Sequence, residues 1–168
     1  MSLQTLAALA SLGVELERVP VPVAPELGSV LDQADLSVAR RERVAEFLDP
    51  LVRPWRARYG YAAQDLVALH PGTPDLDALL ARFDQAHMHR DDEVRYVIEG
   101  EGLFGFFDAG GTEHKVRVAP GDFVRVPAGV EHRFTLLASR RIKAVRLFTD
   151  AAGWAAFYTG RPVAALGV

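Results

Sequence analysis

"HMHRDDEVRYVIEG", residues 87–100, holds two histidines one residue apart, a carboxylate four residues after the second, and then a run in which apolar positions alternate. From Glu93 the alternation is strict. Val94, Tyr96 and Ile98 fall on one side, and Glu93, Arg95 and Val97 on the other, the period-two signature of a β-strand. The same even spacing puts His87 and His89 on one side and Met88 on the other. Glu93 joins the histidines if the short turn Arg90–Asp92 keeps the phase. With five histidines in 168 residues, two placed in this way invite a metal-ion reading.

Working outward, the downstream sequence repeats the strand pattern. "GLFGFF" (102–107) and "HKVRV" (114–118) are joined through "DAGGTE" (108–113), whose Gly110 and Gly111 favour a hairpin turn. "GDFVRVPAGVEHRFTLL" (121–137) reads as two strands around a Pro-Ala-Gly turn, and "RIKAVRLF" (141–148) as one more. Short strands at regular spacing, with no helical period between them, predict an antiparallel sandwich or small barrel. Upstream the texture differs. "VPVPVAP" (19–25) is expected to be extended. Ser37 is expected to cap a helix carrying Val44, Phe47, Leu48 and Leu51, its far end obscured by Pro50 and Pro54. A second helix is predicted from Thr73 as N-cap and Pro74 at the first helical position, with Leu76, Leu79, Leu80 and Phe83 on one stripe. The prediction is a mainly β chain of one domain: extended and helical decoration over 1–83, the barrel over 84–150, and a C-terminal segment over 151–168.

The carboxylate and histidines find a fourth companion. His132 closes "GDFVRVPAGVEH", where Gly121 and the Pro127–Gly129 turn supply the bends that would return a strand to the same pocket. Three imidazoles and one carboxylate suit iron, nickel, manganese or zinc. Four protein ligands on an octahedral ion leave two positions for substrate, whereas a site closed on all sides would be structural. Asp92 is a candidate for orienting a ligand through a hydrogen bond. His70 and His114 are expected to be solvated loop residues, and Arg140–Arg141 a solvent-facing hairpin end.

Composition narrows the partners. The net charge of −3 and pI near 5.9 offer no basic footprint for nucleic acid or an anionic membrane. With no cysteine, disulfides, thiolate metal sites and cysteine nucleophiles are excluded. The N-terminal stretch has its first basic residue at Arg18 and an apolar run too short to span a bilayer. A cytoplasmic monomer acting on a small molecule is the expectation.

Two motifs, H-x-H-x3-E-x6-G from His87 to Gly100 and G-x5-P-x-G-x2-H from Gly121 to His132, resemble the pair that defines the cupin superfamily. Ala81 stands where the first usually begins with glycine, and Leu136 where the second often ends with asparagine; both are structural positions. More narrowly, "HMHRDDEVRYVIEGEGLFGF", "GDFVRVPAGVEHRFTL" and "IKAVRLFTD" resemble the acireductone dioxygenase family of methionine salvage, over about Gly60 to Trp154. The resemblance implies a cupin-type barrel (double-stranded β-helix) and one Fe2+ or Ni2+ per chain, held by His87, His89, Glu93 and His132. It implies that Arg95 stabilises an anionic enediolate, with Arg146 as a second catalytic arginine and Phe83, Phe134 and Trp154 along the substrate pocket. The substrates implied are acireductone and dioxygen. On the residues alone, core packing is the more economical reading of the three aromatics, and a rim ion pair competes for Arg146. Two other classes stay open: another cupin metalloenzyme, such as a different dioxygenase or a sugar isomerase, and a non-catalytic cupin that binds a metal or small ligand. A phosphosugar isomerase would want more inward basic residues than Arg95 and Arg146.

Overall fold

The computed structural model describes residues 1–150 and 155–164. In chain order these form α1 (Leu3–Leu12), β1 (Glu15–Arg18), α2 (Pro25–Leu31), α3 (Val38–Tyr59), β2 (Ala63–Leu69), α4 (Leu76–Phe83), β3 (His87–Met88), β4 (Glu93–Gly100), β5 (Gly102–Phe107), β6 (Glu113–Val118), β7 (Asp122–Val126), β8 (His132–Leu136), β9 (Ile142–Phe148) and β10 (Phe157–Tyr158). The strands make two antiparallel five-stranded sheets, ordered β1-β7-β4-β9-β2 and β10-β3-β8-β5-β6. This is the cupin-type architecture expected. No described helix is long and apolar enough to cross a membrane.

The alternation in β4 has a physical use on each side. Val94, Tyr96 and Ile98 pack outward against α3, in a core with Leu48, Val52, Trp55, Phe123, Val145 and Leu147. Trp55 stacks on Phe123 with ring centroids 4.0 Å apart and donates its indole N–H to Glu17 at 3.0 Å. Val97 points the other way, into a second core between the sheets with Phe104, Phe106, Val124, Phe134 and Ala144. The first sheet is therefore covered on both faces, by a helix outside and by the second sheet inside. Arg95 and Glu93 share the inner side with Val97, so the polar site is built into the end of an otherwise apolar layer.

Several expectations change. Residues 1–83 are more than decoration, because β1 and β2 form both edges of the first sheet. Pro25, the last proline of the extended run, opens α2. Ser37 does cap α3, accepting a hydrogen bond from the Arg40 amide, but the helix runs through both Pro50 and Pro54. These lie four residues apart on the exposed side, where water can take the carbonyls they leave unpaired. The buried stripe is Val44, Ala45, Leu48, Val52 and Trp55, whereas Phe47 is 40% exposed. Helix α4 starts at Leu76, after a turn that holds Thr73 and Pro74. Thr73 uses its hydroxyl on the His70 amide instead of capping the helix. His70 and His114 are buried, not solvated: each ring places Nε2 against a carboxylate, Asp35 at 2.7 Å and Asp108 at 2.8 Å.

Gly100, which closes β4, has φ of +77° and sits so close to β9 that an added Cβ would lie 2.0 Å from the Arg141 carbonyl oxygen. Gly60, the C-cap of α3, has φ of +76° with nothing within 4 Å. Both substitutions by alanine meet the left-handed backbone cost of about 1–2 kcal/mol, and only Gly100→Ala adds a backbone collision. Chemical denaturation is expected to show Gly60→Ala losing about that amount and Gly100→Ala losing clearly more; equal losses would refute the close approach.

Candidate metal centre

Four donors converge where the two motifs meet. His87 lies on β3, His89 one residue beyond it, Glu93 opens β4 and His132 opens β8. Antiparallel pairing of β3 with β8 sets His87 directly opposite His132. The four potential ligand atoms lie within 4.8 Å of one another, and all four residues are buried. Met88, between the two histidines, faces away into a shallow cleft shared with Glu131 and Thr159.

The loops that carry these donors are laced together by backbone groups. The Gly129 amide donates to the His89 carbonyl at 2.9 Å, and the Ala128 amide donates to the Asp92 carboxylate at 3.0 Å. The Pro127–Gly129 turn therefore hangs on the turn between His89 and Glu93. Asp92 also accepts from the Tyr61 hydroxyl at 2.6 Å and from Arg125 Nε at 2.8 Å. None of these partners is one of the four donors, so its hold on the site runs through the loop.

Hydrogen bonding fixes the tautomers. His87 Nδ1 lies 2.7 Å from the Gln85 carbonyl, His132 Nδ1 2.9 Å from the Val130 carbonyl, and His89 Nδ1 3.3 Å from the Ala155 carbonyl. A carbonyl only accepts, so each Nδ1 carries the proton and each Nε2 turns a lone pair inward. Glu93 Oε2 nonetheless stands 3.0 Å from His89 Nε2 and 3.3 Å from His132 Nε2. Lone pairs facing a carboxylate at that range need a proton or a cation between them. The donor set thus fits a divalent ion, with the outer nitrogen of every imidazole held as that role requires.

The electrostatics agree. Burial, reinforced by His132, pushes the His87 pKa down to about 4, leaving the ring neutral and ready to bind. At His89 burial works in the same direction, but the hydrogen bond and charge of Glu93 outweigh it and the pKa is raised. Burial would raise Glu93; Arg95 and the two imidazoles overcome this and hold the carboxyl well below its usual range. Arg95 donates Nε to Glu93 Oε1 at 2.6 Å and lays its guanidinium over the Phe134 ring, 5.1 Å from the centroid.

The site opens into a cavity of about 260 Å3 walled by Leu79, Phe83, Arg95, Phe134, Arg146 and Tyr158. Phe134 is also part of the inner core, so its ring packs on one side and faces the cavity on the other. Arg146 likewise lines the cavity while donating Nε to Asp65 at 2.8 Å. Register explains its place: Asp65, Arg146 and Arg95 are successive neighbours across β2, β9 and β4. Trp154 lies outside the described residues. Larger clefts of about 380 Å3 and 510 Å3 lie elsewhere, but neither touches the donor cluster. Tyr158 was not foreseen. It reaches the cavity because β10 pairs with β3, placing Tyr158 opposite His87, and a two-residue strand leaves no period to read.

A further buried ion pair supports the strand that carries His132. Arg133 gives Nε and Nη2 to Glu113 at 2.7 and 2.9 Å, and Nη1 to the Ala164 carbonyl at 2.7 Å and to Asp84 at 3.2 Å. It ties β8 to β6, to the residue after α4 and to the C-terminal segment. Gly105 makes room, since a Cβ there would fall 2.0 Å from Glu113 Oε1.

A sequence profile described as the ARD/ARD' family matches residues 30–156. The chain belongs to that family. Among its relatives are the acireductone dioxygenases of Microcystis aeruginosa, 43% identical over 161 residues covering 92% of this chain and 88% of the relative, and of Leptospira biflexa, 41% identical over 155 residues covering 92% and 86%. A solved structure, acireductone dioxygenase from Bacillus anthracis with a cadmium ion in its active center, superposes with a TM-score of 0.79 at 29% identity, covering 94% of this chain and 91% of that one. The family assignment and the buried three-histidine, one-glutamate cluster thus agree on a metalloenzyme, an oxidoreductase of the acireductone dioxygenase family.

Two outcomes follow for the centre. His132→Ala removes one of four ligands, so metal affinity is expected to fall by more than the roughly 10–100-fold typical of a lost supporting partner, read by elemental analysis after dialysis against a weak chelator. Because Glu93 holds the His89 pKa above its ordinary value, metal binding is expected to release protons and to weaken as pH falls through that raised pKa. A titration in an indicator dye that shows no proton release would contradict the arrangement.

Proposed function

We propose that this chain is an Fe2+- or Ni2+-dependent acireductone dioxygenase, acting in the cytoplasm as a monomer whose site is complete within one chain. The observation that carries this reading is the buried cluster of His87, His89, Glu93 and His132 opening onto a cavity with cations on one side and apolar walls on the other. The four side chains would hold the ion and leave two octahedral positions. When bound, the ion supplies a template and Lewis acid for the two enediol oxygens of 1,2-dihydroxy-5-(methylthio)pent-1-en-3-one.

The remaining work falls to residues of the chain. Arg95, fixed by Glu93 on one side and by Phe134 beneath it, presents a permanent positive charge beside the place where the bound enediol gives up its remaining proton. Charge set in place before reaction needs no reorganisation, which is why such groups matter most in a dry site. Arg146, braced by Asp65, extends the positive wall by one strand. Leu79, Phe83 and Phe134 exclude water and suit the methylthio tail. The same donors accept either ion, and the ion decides the products: formate and 4-methylthio-2-oxobutanoate with iron, and methylthiopropanoate, formate and carbon monoxide with nickel.

The test is to generate acireductone without oxygen, then mix it with oxygen and the iron-loaded protein while following the enediol absorbance and identifying products. Formate with the 2-oxo acid is expected, and carbon monoxide after nickel replaces iron. Arg95→Met, assayed at saturating iron because Glu93 also loses a partner, is expected to lose on the order of a hundredfold or more in kcat. An unaltered rate of enediol loss with stoichiometric metal present would overturn the proposal.

A further inference from the structure

Three guanidiniums border the cavity: those of Arg82, Arg95 and Arg146. Two of them are matched to carboxylates, Arg95 to Glu93 at 2.6 Å and Arg146 to Asp65 at 2.8 Å. Arg82 is not. Among the described residues it has no carboxylate partner, and it is exposed. Nor is its direction accidental. Leu79, Arg82 and Phe83 all line the cavity, and positions i, i+3 and i+4 of a helix share one stripe. Helix α4 thus turns an apolar and cationic face to the cavity, with Arg82 in its last turn, where the helix dipole favours a cation.

The charge of the chain gives this placement a consequence. The protein as a whole carries −3 and repels an approaching anion. At the cavity the sign is reversed, and a low-dielectric cleft focuses that reversed field outward. Paired arginines contribute little at a distance, because each travels with its carboxylate. A bound divalent ion would add its charge at the bottom of the cavity, and Arg82 is, among the described residues, the cation unmatched by a carboxylate at its mouth.

We propose that Arg82 is the capture residue of this cavity, drawing in the substrate as an anion and contacting it at the mouth before it reaches the donors. This rests on the function proposed above, and it adds a selectivity. An enediol conjugated to a carbonyl is a vinylogous acid and arrives as an anion at neutral pH. A neutral analogue of the same shape gains nothing from Arg82. The roles divide by depth: Arg82 acts on encounter, and Arg95 on the charge that develops at the reacting carbons.

The test compares the iron-loaded full chain with Arg82→Gln, Arg82→Lys, Arg82→Glu and, as a control cation on α3 away from the cavity, Arg43→Gln. Two quantities are read across ionic strength: kcat/KM for acireductone, and Kd by anaerobic titration, where no turnover occurs. At low salt Arg82→Gln is expected to lower kcat/KM on the order of tenfold, more than it lowers kcat, and to raise Kd. Lysine recovers most of the loss, glutamate deepens it, and the differences close near 1 M salt, where screening acts within about 3 Å. Arg43→Gln matches wild type. Wild-type protein that neither binds nor turns over acireductone would sink the assigned function itself. Active wild type with an Arg82→Gln variant indistinguishable from it, or impaired equally at all salt concentrations with reduced metal content, would overturn the capture role alone.

Discussion

A carboxylate 3% exposed stays ionised only if its surroundings supply the charge that water would have supplied. Glu93 meets that condition with Arg95 on one oxygen and with His89 and His132 on the other. Much of the structure can be read as what this single buried charge demands. Arg95 must share its side of β4, which the alternation provides. His132 must return from a strand of the opposite sheet, which the Pro-Ala-Gly turn and its bonds to His89 and Asp92 provide. The imidazoles must hold their protons on the outer nitrogen, which three backbone carbonyls provide. Each condition is met by a different element, so the site is a property of the fold and not of one loop.

What could be read in the sequence was whatever is local. The period-two run of β4, the Gly-Gly hairpin and the even spacing of His87 and His89 each specify their structure within a few residues. The four donors emerged because two such local patterns carried them. The Asp65–Arg146 pair did not, since it depends on β2 pairing with β9 across 81 residues of chain, and "AQDLVAL" shows little alternation of its own. His70 and His114 were misplaced for a related reason: a histidine is buried or solvated according to whether a carboxylate comes to meet it. Asp35 does so for the first from 35 residues away. The proline-crossed helix α3 reflects a third kind of override. Its apolar stripe against β4, β7 and β9 outweighs two lost backbone bonds on the wet side.

The division between the sheets also separates tasks. The first sheet, sandwiched between α3 and its partner, contributes the charged row of Glu93, Arg95 and Arg146 on rigid central strands. The second contributes His87 and His132, and its edge strand β10 brings Tyr158. Arg133 binds this second group to α4 and to the C-terminal segment. Precision therefore comes from the middle of the sheets, while access is shaped by their margins and by one short helix.

The turn of Met88 away from the cavity bears on wear. Sulfur is the softest target for stray oxidants in a protein, and a site that admits dioxygen is where such oxidants would arise. This chain has no cysteine, and of its two methionines one is the first residue. The other is flanked by two of the metal-binding histidines, yet the pleat that aims them inward sends its thioether to the far side of the sheet. The walls of the cavity are carbon, nitrogen and oxygen throughout. The same two-residue repeat that assembles the centre thus keeps the most oxidisable atom in its neighbourhood off the cavity wall.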